Sequence, residues 1–434
     1  MSAARSRLAS RSMLGGSLLI SLGMAGFAAS TYAFTAFATR ALGPVGFADF
    51  SVFWSLLYGV GLGMALPLEQ ETSRLTSGAR TRGEPLSQAV MSASRAAVVV
   101  LPIGSLIILG SSAVLVRSTE EWVALGPATA VAVVMLGVTY VVRGGLSGAR
   151  HFKAYAAQLG FEGLARVAAA GCLAAFSIAT PWAWAAAVTG SLLVAVALTV
   201  RPLATEMRKL ARLPQVRPRP LAWRSVLRSM SALVVASVLA QTLVNVGPIA
   251  VRLLTTPAQA GLVGSFLAAA LIARAPTLAF AALQAVLIPK LAETVERRDV
   301  AAYRRTVSQA LVATCGLGVV GTAICAVAGP ELLRWFSGPG FDLPRSDIVL
   351  LAVSTTLYLI TLVLQPAAIA VRGHRAIAMV WVLAAGVFVG GCLLPLDPIR
   401  AVNLALVAAM AVPVVGLVPV INRGLSPARG TSGD

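Results

Sequence analysis

The chain has 434 residues, of which 58% are hydrophobic and 12% are charged, and it carries a formal net charge of +19. So apolar a composition excludes a soluble globular protein. The basic residues are dispersed among short loops, which argues against nucleic-acid binding. The sequence therefore predicts an all-α polytopic membrane protein.

Apolar stretches long enough to cross a bilayer recur along the chain. About 20 helical residues span the ~30 Å hydrocarbon core, and the stretches lack the period-2 alternation of a membrane barrel. We expect the first to be retained, because its apolar run is longer than that of a signal peptide. The sequence predicts about twelve spans, at residues 13–38, 47–66, 90–116, 122–142, 156–178, 182–200, 232–254, 261–288, 307–328, 348–371, 377–396 and 402–421.

The distribution of basic residues predicts the topology. Of 35 Lys and Arg residues, 26 fall in every second connecting segment or at the termini, six fall in the other loops or, for Arg252, at the adjoining end of a span, and Arg95, Arg166 and Arg274 fall deeper inside spans. Cytoplasmic loops carry the excess of basic residues. We therefore expect a multi-pass membrane protein with both termini in the cytoplasm.

Two pairs of similar turns indicate an internal duplication. The turn at 43–47 after span one resembles that at 257–262 after span seven, and the turn at 148–151 after span four resembles that at 373–375 after span ten. Because six spans separate the members of each pair, the halves share one orientation, as in a parallel repeat. The predicted organisation is an N-terminal six-helix bundle at 1–200, a basic cytoplasmic linker at 201–231, a second six-helix bundle at 232–421 and a tail at 422–434.

Short motifs in a fixed order cover nearly the whole chain. They are Arg40-Ala41-Leu42-Gly43-Pro44-Val45-Gly46-Phe47; Arg143-Gly144-Gly145-Leu146-Ser147-Gly148 with Phe152 and Tyr155; Ala260-Gly261 with Arg274-Ala275-Pro276 and Pro289; and Gly329-Pro330-Glu331-Leu332-Leu333 with Gly338 and Phe341. In this order the chain resembles the multidrug/oligosaccharidyl-lipid/polysaccharide exporter superfamily, in its polysaccharide-flippase branch. The resemblance implies a V-shaped pair of bundles that moves lipid-linked oligosaccharides by alternating access.

Polar residues inside four spans fall on common helix faces. Such groups are costly in lipid unless they face protein or water, so a polar cavity bounded by spans one, two, seven and eight would accommodate them. The stripes are Ser17, Ser21, Thr31 and Thr35 on span one; Ser51, Ser55 and Tyr58 on span two; Gln241, Asn245, Pro248 and Arg252 on span seven; and Arg274, Thr277 and Gln284 on span eight. Pro248 and Pro276 are predicted to bend their helices, either as hinges or as kinks tolerated by packing.

Arg274 is the first candidate for holding an anionic substrate. It lies 13 residues beyond Gly261, or ~20 Å along a helix, and Asp49 is the only acidic residue in these four spans, at the outer end, where we expect it to complement the N-terminus of span two. A diphosphate would match the guanidinium in bidentate geometry, although a structural arginine remains the alternative. Arg40 and Arg252, near the outer mouth, would receive or release the same anion, or anchor the protein at the interface. The predicted substrate-binding set is Arg274, Asn245, Gln241, Arg252, Gln284, Thr277, Arg40, Thr31, Thr35 and Tyr58.

The two other in-span arginines have simpler explanations. Glu162 precedes Arg166 by four residues, which predicts a structural ion pair within span five, with a proton relay as the alternative. Arg95 lies close enough to the cytoplasmic end of span three to reach the surface with its long side chain.

The remaining features favour transport over catalysis. The sequence has neither an ATP-binding loop nor a metal or nucleophile constellation, so we expect no enzyme, no cofactor and no metal site. The leading hypothesis is a flippase for an undecaprenyl-diphosphate-linked oligosaccharide in cell-surface polysaccharide biosynthesis, with membrane lipids and a polysaccharide polymerase or assembly proteins as further partners. The alternatives are a multidrug antiporter of the same superfamily, which would need carboxylates deep in its cavity, and a lipid II flippase, which usually has fourteen helices.

Overall fold

The chain is described from a computed structural model that covers residues 2–116, 119–211, 223–297, 299–371 and 374–425. These residues are all-helical. The helices are α1 (Ser2–Leu56), α2 (Leu62–Arg82), α3 (Leu86–Leu115), α4 (Thr119–Gly148), α5 (Phe152–Ala175), α6 (Pro181–Ala211), α7 (Trp223–Asn245), α8 (Gly247–Leu254), α9 (Ala260–Ala273), α10 (Pro276–Glu296), α11 (Val300–Ser337), α12 (Arg345–Ala370), α13 (His374–Cys392) and α14 (Pro398–Leu425). They form two compact units, Met1–Ser265 with Phe336–Phe341 and Phe266–Trp335 with Asp342–Asp434.

The described helices confirm the prediction of an all-helical multi-pass membrane protein. Eight segments are long and apolar enough to cross a bilayer, and the bent pair of α7 and α8 makes a ninth. The sequence predicts about twelve because it counts Leu19–Arg82 as two spans and includes two helices that fall short of these limits. One is α13, whose apolar part, Ala376–Cys392, is shorter than each of these eight segments. The other is α5, whose charged residues Glu162 and Arg166 make it less apolar.

The first two predicted spans follow each other with only a kink between them. The kink is at Gly43, whose φ of 64° lies in the left-handed region that glycine adopts readily. A π-helical segment, Leu57–Gly61, then leads into α2, which continues to Arg82. The prediction that span two ends at residue 66 is wrong, because Pro67 is accommodated inside the helix. Glu69 consequently lies on a helix and not in a cytoplasmic loop.

The predicted seventh span is broken at Val246. α7 ends at Asn245, and α8 begins at Gly247 at an angle of 60° to it. Pro248 lies in the first turn of α8, where its missing backbone donor costs no helical hydrogen bond. The prediction that Arg252 shares one continuous face with Asn245 is therefore wrong, since the two residues belong to differently directed helices.

The predicted eighth span is interrupted beside its proline. α9 ends at Ala273 and α10 begins at Pro276, with Arg274 and Ala275 in a turn between them. The Thr277 hydroxyl donates a hydrogen bond to the Arg274 carbonyl at 2.7 Å. Arg274 thus lies in a two-residue turn beside Pro276, the residue predicted to bend this helix.

The predicted basic linker at 201–231 is helical at both ends. α6 continues to Ala211 and α7 begins at Trp223, while residues 212–222 lie outside the described residues. α7 packs within the first unit, against α2, where a Cβ added at Gly63 would lie 2.6 Å from the Val238 Cα atom. This close approach explains why the first compact unit extends to Ser265, beyond the predicted start of the second bundle at residue 232.

Glycines also bring α4 against α2. A Cβ at Gly144 would lie 2.5 Å from the Glu69 carbonyl oxygen, and one at Gly148 would lie 2.6 Å from that of Ser73. The preceding residue, Arg143, is 4% exposed on α4. Its assignment to a cytoplasmic loop is wrong, because α4 continues six residues beyond the predicted end of span four at residue 142.

The second unit is joined mainly by apolar side chains from α12, α13 and α14. Two long-range hydrogen bonds add to this packing: Trp381 Nε1 donates to Gln365 Oε1 at 3.0 Å, and the Tyr303 hydroxyl donates to the Ala367 carbonyl at 2.8 Å. At the start of α12, the buried carboxylate of Asp347 accepts a hydrogen bond from Asn403 at 3.3 Å.

Candidate functional site

The break in α7 is tied to the π-helical segment that precedes α2. Asn245 Nδ2 donates to the carbonyl of Tyr58 at 3.2 Å and to the carbonyl of Gln241 at 2.9 Å. A π-segment leaves backbone carbonyls without their usual helical donors, and the Asn245 amide supplies one to Tyr58 while it also bonds to its own helix. Three residues of the predicted substrate-binding set, Tyr58, Gln241 and Asn245, therefore meet at one junction.

Tyr58 connects this junction to a buried group of charges. Its half-buried ring packs against that of Trp54, with the ring centroids 4.4 Å apart, and its hydroxyl interacts electrostatically with Arg166. Arg166 Nη1 also donates to the Thr31 hydroxyl at 3.2 Å. Thr31 and Tyr58, both members of the predicted substrate-binding set, thus interact with the arginine that the sequence assigned to a separate structural pair.

Arg143, Glu162 and Arg166 form a buried charge cluster. Arg143 Nη2 and Arg166 Nη2 each lie 2.9 Å from one oxygen of the Glu162 carboxylate. The structure thus contains the predicted ion pair between Glu162 and Arg166, with a second guanidinium that the sequence analysis did not foresee. Arg166 Nε also approaches the Ser191 hydroxyl at 3.4 Å, so α1, α4, α5 and α6 all contribute to the surroundings of the cluster.

Aromatic rings cover both guanidinium groups. The Arg143 Cζ atom lies 4.6 Å from the centroid of the Tyr140 ring, and the Arg166 Cζ atom lies 4.9 Å from that of Phe27. Tyr155 also faces Arg143, at 5.8 Å, and its hydroxyl donates to Glu69 at 2.8 Å. Cation–π contact and a shared carboxylate both offset the cost of burying the two positive charges.

The position of the cluster follows from the spacing of polar residues on α5. Tyr155, Gln158, Glu162 and Arg166 are separated by three, four and four residues, so they lie on one helix face. Their surroundings leave some hydrogen-bonding capacity unused, since Arg143 Nε and Gln158 Oε1 are buried without a hydrogen-bond partner among the described residues. The cluster thus combines tightly held charge with unused polar atoms, which gives it the capacity for further polar contacts if the surrounding helices move.

Sequence reasoning missed Arg143 and Glu69, for a single reason. Both lie beyond the predicted ends of their spans, and charged residues beside a hydropathy boundary are assigned to loops. The spacing of polar residues on α5 could have revealed both residues, because polar side chains along one face of a membrane helix need buried partners on a neighbouring helix.

A second ion pair lies farther along the same unit. Arg252 Nη2 lies 2.7 Å from Asp49 Oδ1, and Arg252 Nε donates to the Leu115 carbonyl at 3.1 Å. Both charged side chains are buried, at 5% and 6% exposure. The pairing of these two residues was not predicted, since Asp49 was expected to complement the N-terminus of span two and Arg252 to contact the anion or anchor the protein at the interface.

The other predicted site residues are more dispersed. Thr35 is buried and its hydroxyl donates to the Thr31 carbonyl at 2.6 Å, whereas Arg40 is exposed just before the Gly43 kink. Arg274 is half-buried in the second unit, where it interacts electrostatically with Tyr358 of α12. The side chain of Gln284 lies outside the described residues.

The arrangement of these helices matches solved structures over nearly their full length. An outward-facing multidrug resistance MATE family transporter of the MOP superfamily aligns with a TM-score of 0.68 at 14% identity, covering 95% of this chain and 96% of that one. A Vibrio cholerae MATE transporter gives a TM-score of 0.61 at 12% identity, covering 95% and 98%. The chain has the MATE fold. A eukaryotic MATE transporter, with a TM-score of 0.65 at 14% identity over 94% of this chain and 96% of that one, shares it.

Sequence comparison adds relatives without a described activity. An uncharacterized protein of Mycobacterium tuberculosis is 28% identical over 403 residues, covering 89% of this chain and 86% of the relative. A second uncharacterized protein of the same species is 28% identical over 404 residues, covering 90% and 87%. No family model matches the chain. The likeness to MATE structures gives the chain an architecture of twelve spans in two bundles. The sequence relatives named above are bacterial.

Proposed function

We propose that this MATE-fold protein is a transporter of the MOP superfamily that moves an undecaprenyl-diphosphate-linked oligosaccharide from the inner to the outer leaflet by alternating access. It would act in the bacterial inner membrane with both termini in the cytoplasm. The proposal is carried by one observation: two helices are interrupted, and each interruption bears a polar residue of the predicted substrate-binding set. Asn245 ends α7, and Arg274 lies between α9 and α10.

Interrupted helices are typical of substrate sites in transporters. At such breaks, backbone dipoles and polar side chains lie at membrane depth without facing lipid. Arg274 adds a permanent positive charge to its break, and a guanidinium binds a diphosphate through two parallel hydrogen bonds. The positive charge and its position support an anionic headgroup as the substrate.

The residues around Tyr58 support recognition of the sugar. Tyr58, Thr31 and Gln241 are half-buried and offer an aromatic ring, a hydroxyl and an amide. Sugars are bound by such hydrogen-bonding and apolar faces together. In this proposal the lipid tail remains in the hydrocarbon of the bilayer while the headgroup passes.

A multidrug antiporter is the second candidate, and buried carboxylates favour it. Glu162 lies inside the first unit and Glu69 lies on α2, whereas the sequence analysis placed only Asp49 in the four spans bounding the expected cavity. The solved structures with the same fold are also named as multidrug transporters. However, the Glu162 carboxylate already binds two guanidinium groups, so a cationic drug would have to displace an arginine from it. This competition supports the anionic substrate.

Transport by purified protein in proteoliposomes separates the two candidates. A lipid-diphosphate-linked oligosaccharide that reaches the outer leaflet becomes accessible to a membrane-impermeant lectin, whereas drug transport is followed with ethidium. We expect oligosaccharide flipping, and a reduction of roughly tenfold to a hundredfold in Arg274→Ala, from the loss of about 1.5–3 kcal/mol of charged hydrogen bonding.

Two matched variants make this result specific. Arg274→Lys keeps the charge but loses the bidentate geometry, so it should fall between the wild type and Arg274→Ala. Arg304→Ala removes an exposed arginine from α11 and should flip at the wild-type rate. Ethidium transport without flipping would establish the antiporter instead, and wild-type flipping by Arg274→Ala would remove Arg274 from the mechanism.

A further inference from the structure

An apolar cavity of about 480 Å³ lies between α3, α4 and α6 of the first unit. Its walls include Val98, Leu101, Val138, Val142 and Leu203, and Ser94 is the single polar residue among the described residues that line it. This volume is within the range of about 300–1,000 Å³ found for small-molecule sites. With such walls, the cavity suits a hydrocarbon chain and offers almost nothing to a polar molecule.

The cavity is open at the surface of the unit. Val98 is 72% exposed and Val200 is 42% exposed, although both line it. On an apolar helix of a membrane protein, such exposed valines face lipid. Because all three helices contribute the halves that the predicted orientation places towards the cytoplasm, the opening faces the inner leaflet.

Exposed arginines flank the cavity on two of its three helices. On α3, Arg95 follows Ser94 and lies three residues before Val98. On α6, Arg201 and Arg208 lie three residues before and four residues after Ala204, which also lines the cavity. All three arginines are exposed. The hydrocarbon-binding walls thus have positive charge beside them on α3 and α6, with Arg208 at the end nearest the cytoplasm.

We propose that this cavity binds one acyl chain of an anionic glycerophospholipid of the inner leaflet, with its phosphate held by Arg95 and Arg201. The apolar walls match the chain, the exposed arginines match the headgroup, and the inner leaflet supplies both parts in one molecule. The long polyprenyl chain of the proposed transport substrate is far larger than a cavity of this volume. The lipid is therefore distinct from the transported molecule and depends only on membrane insertion in the predicted orientation.

Native mass spectrometry of the intact purified protein tests the site. The protein is exposed to equal amounts of phosphatidylglycerol and phosphatidylcholine with matched acyl chains, and the retained lipid is counted. We expect preferential retention of phosphatidylglycerol by the wild type. In Arg95→Gln/Arg201→Gln the preference should fall roughly thirtyfold, since each arginine near an anionic headgroup contributes about 1 kcal/mol.

Two further variants separate the headgroup from the chain. Ala204→Phe places a ring in the cavity and should abolish retention of both lipids, whereas Val327→Phe adds the same ring to an exposed site on α11 and should change nothing. Arg304→Gln/Arg305→Gln removes two exposed charges from α11 and should keep the wild-type preference.

Three outcomes would overturn the proposal. They are equal retention of the two lipids by the wild type, an unchanged preference in Arg95→Gln/Arg201→Gln, and displacement of phosphatidylglycerol by an equimolar polyprenyl diphosphate. The last result would assign the cavity to the tail of a transport substrate. The flipping assay is independent of this test, because a protein that does not flip the oligosaccharide can still retain the phospholipid.

Discussion

Helices α4 and α5 of the first unit differ sharply from α12 and α13, which hold the corresponding places in the predicted repeat. The first pair meets through Arg143, Glu162 and Arg166, all buried. The second pair has no charged residue in 348–370 or 376–392, and the Trp381–Gln365 hydrogen bond joins its described parts. Two helices of this fold can thus pack without buried charge.

The difference indicates that the charge cluster is not required by the architecture. Burying an ion pair costs desolvation energy that its own attraction offsets only in part, and apolar replacements are often as stable. Because the second pair of helices packs together without buried charge, we infer that the first unit retains its charges for the transport function proposed above. The electrostatic interaction between Arg166 and Tyr58, next to the break in α7, gives such a role a structural basis.

The largest effect on this comparison should come from Glu162→Gln. The change leaves two guanidinium groups buried without their shared carboxylate, so the free energy of unfolding should fall by about 3–5 kcal/mol. Denaturation of the detergent-solubilised protein with SDS measures it. Glu331→Gln, at an exposed glutamate in the second unit, should change stability by less than about 0.5 kcal/mol. Equal effects of the two substitutions would contradict the dependence of the first unit on its buried charges.

Much of the fold was predictable from the sequence, because apolar length and arginine distribution report directly on membrane crossing. The resemblance to the exporter superfamily also gave the correct fold. Hydropathy failed at the ends of spans two and four, where Glu69 and Arg143 look like loop residues but lie on helices and have polar partners, the hydroxyl of Tyr155 and the carboxylate of Glu162. A single charged side chain lowers local hydropathy equally whether it is solvated or paired, so only tertiary contacts distinguish the two cases.

The candidate site was predictable in parts. Proline at 248 and 276 correctly indicated irregular helices, and Tyr58, Gln241 and Asn245 do meet. Their meeting depends on a π-segment at Leu57–Gly61, for which the apolar sequence gives no signal. The partners of Arg252 were missed because the sequence analysis placed Arg252 on the same helix face as Gln241 and Asn245, whereas the helix is broken at Val246.

Close packing of α4 on α2 provides the next prediction. Gly144→Ala would force a Cβ to within 2.5 Å of the Glu69 carbonyl oxygen, and we expect a loss of about 1–3 kcal/mol from overpacking. In α13, a Cβ at Gly386 would meet nothing within 4 Å, so Gly386→Ala should be neutral or stabilise the helix by up to about 1 kcal/mol. The same SDS titration compares them. If Gly144→Ala and Gly386→Ala destabilised the protein to the same extent, α4 and α13 would be equally sensitive to added side-chain volume.

The smallest effect should come from the hydrogen bond that joins α12 and α13. Trp381→Phe removes the indole donor to Gln365, and a cycle with Gln365→Leu isolates the coupling between them. We expect about 0.6–1.5 kcal/mol, the range of a neutral hydrogen bond in a membrane protein. The corresponding cycle of Arg143→Met and Glu162→Gln should give a coupling at least twice as large, because its partners are charged and fully buried. Similar coupling energies would mean that the charge cluster stabilises the first unit as an ordinary polar contact does, and its retention would then need no functional reason.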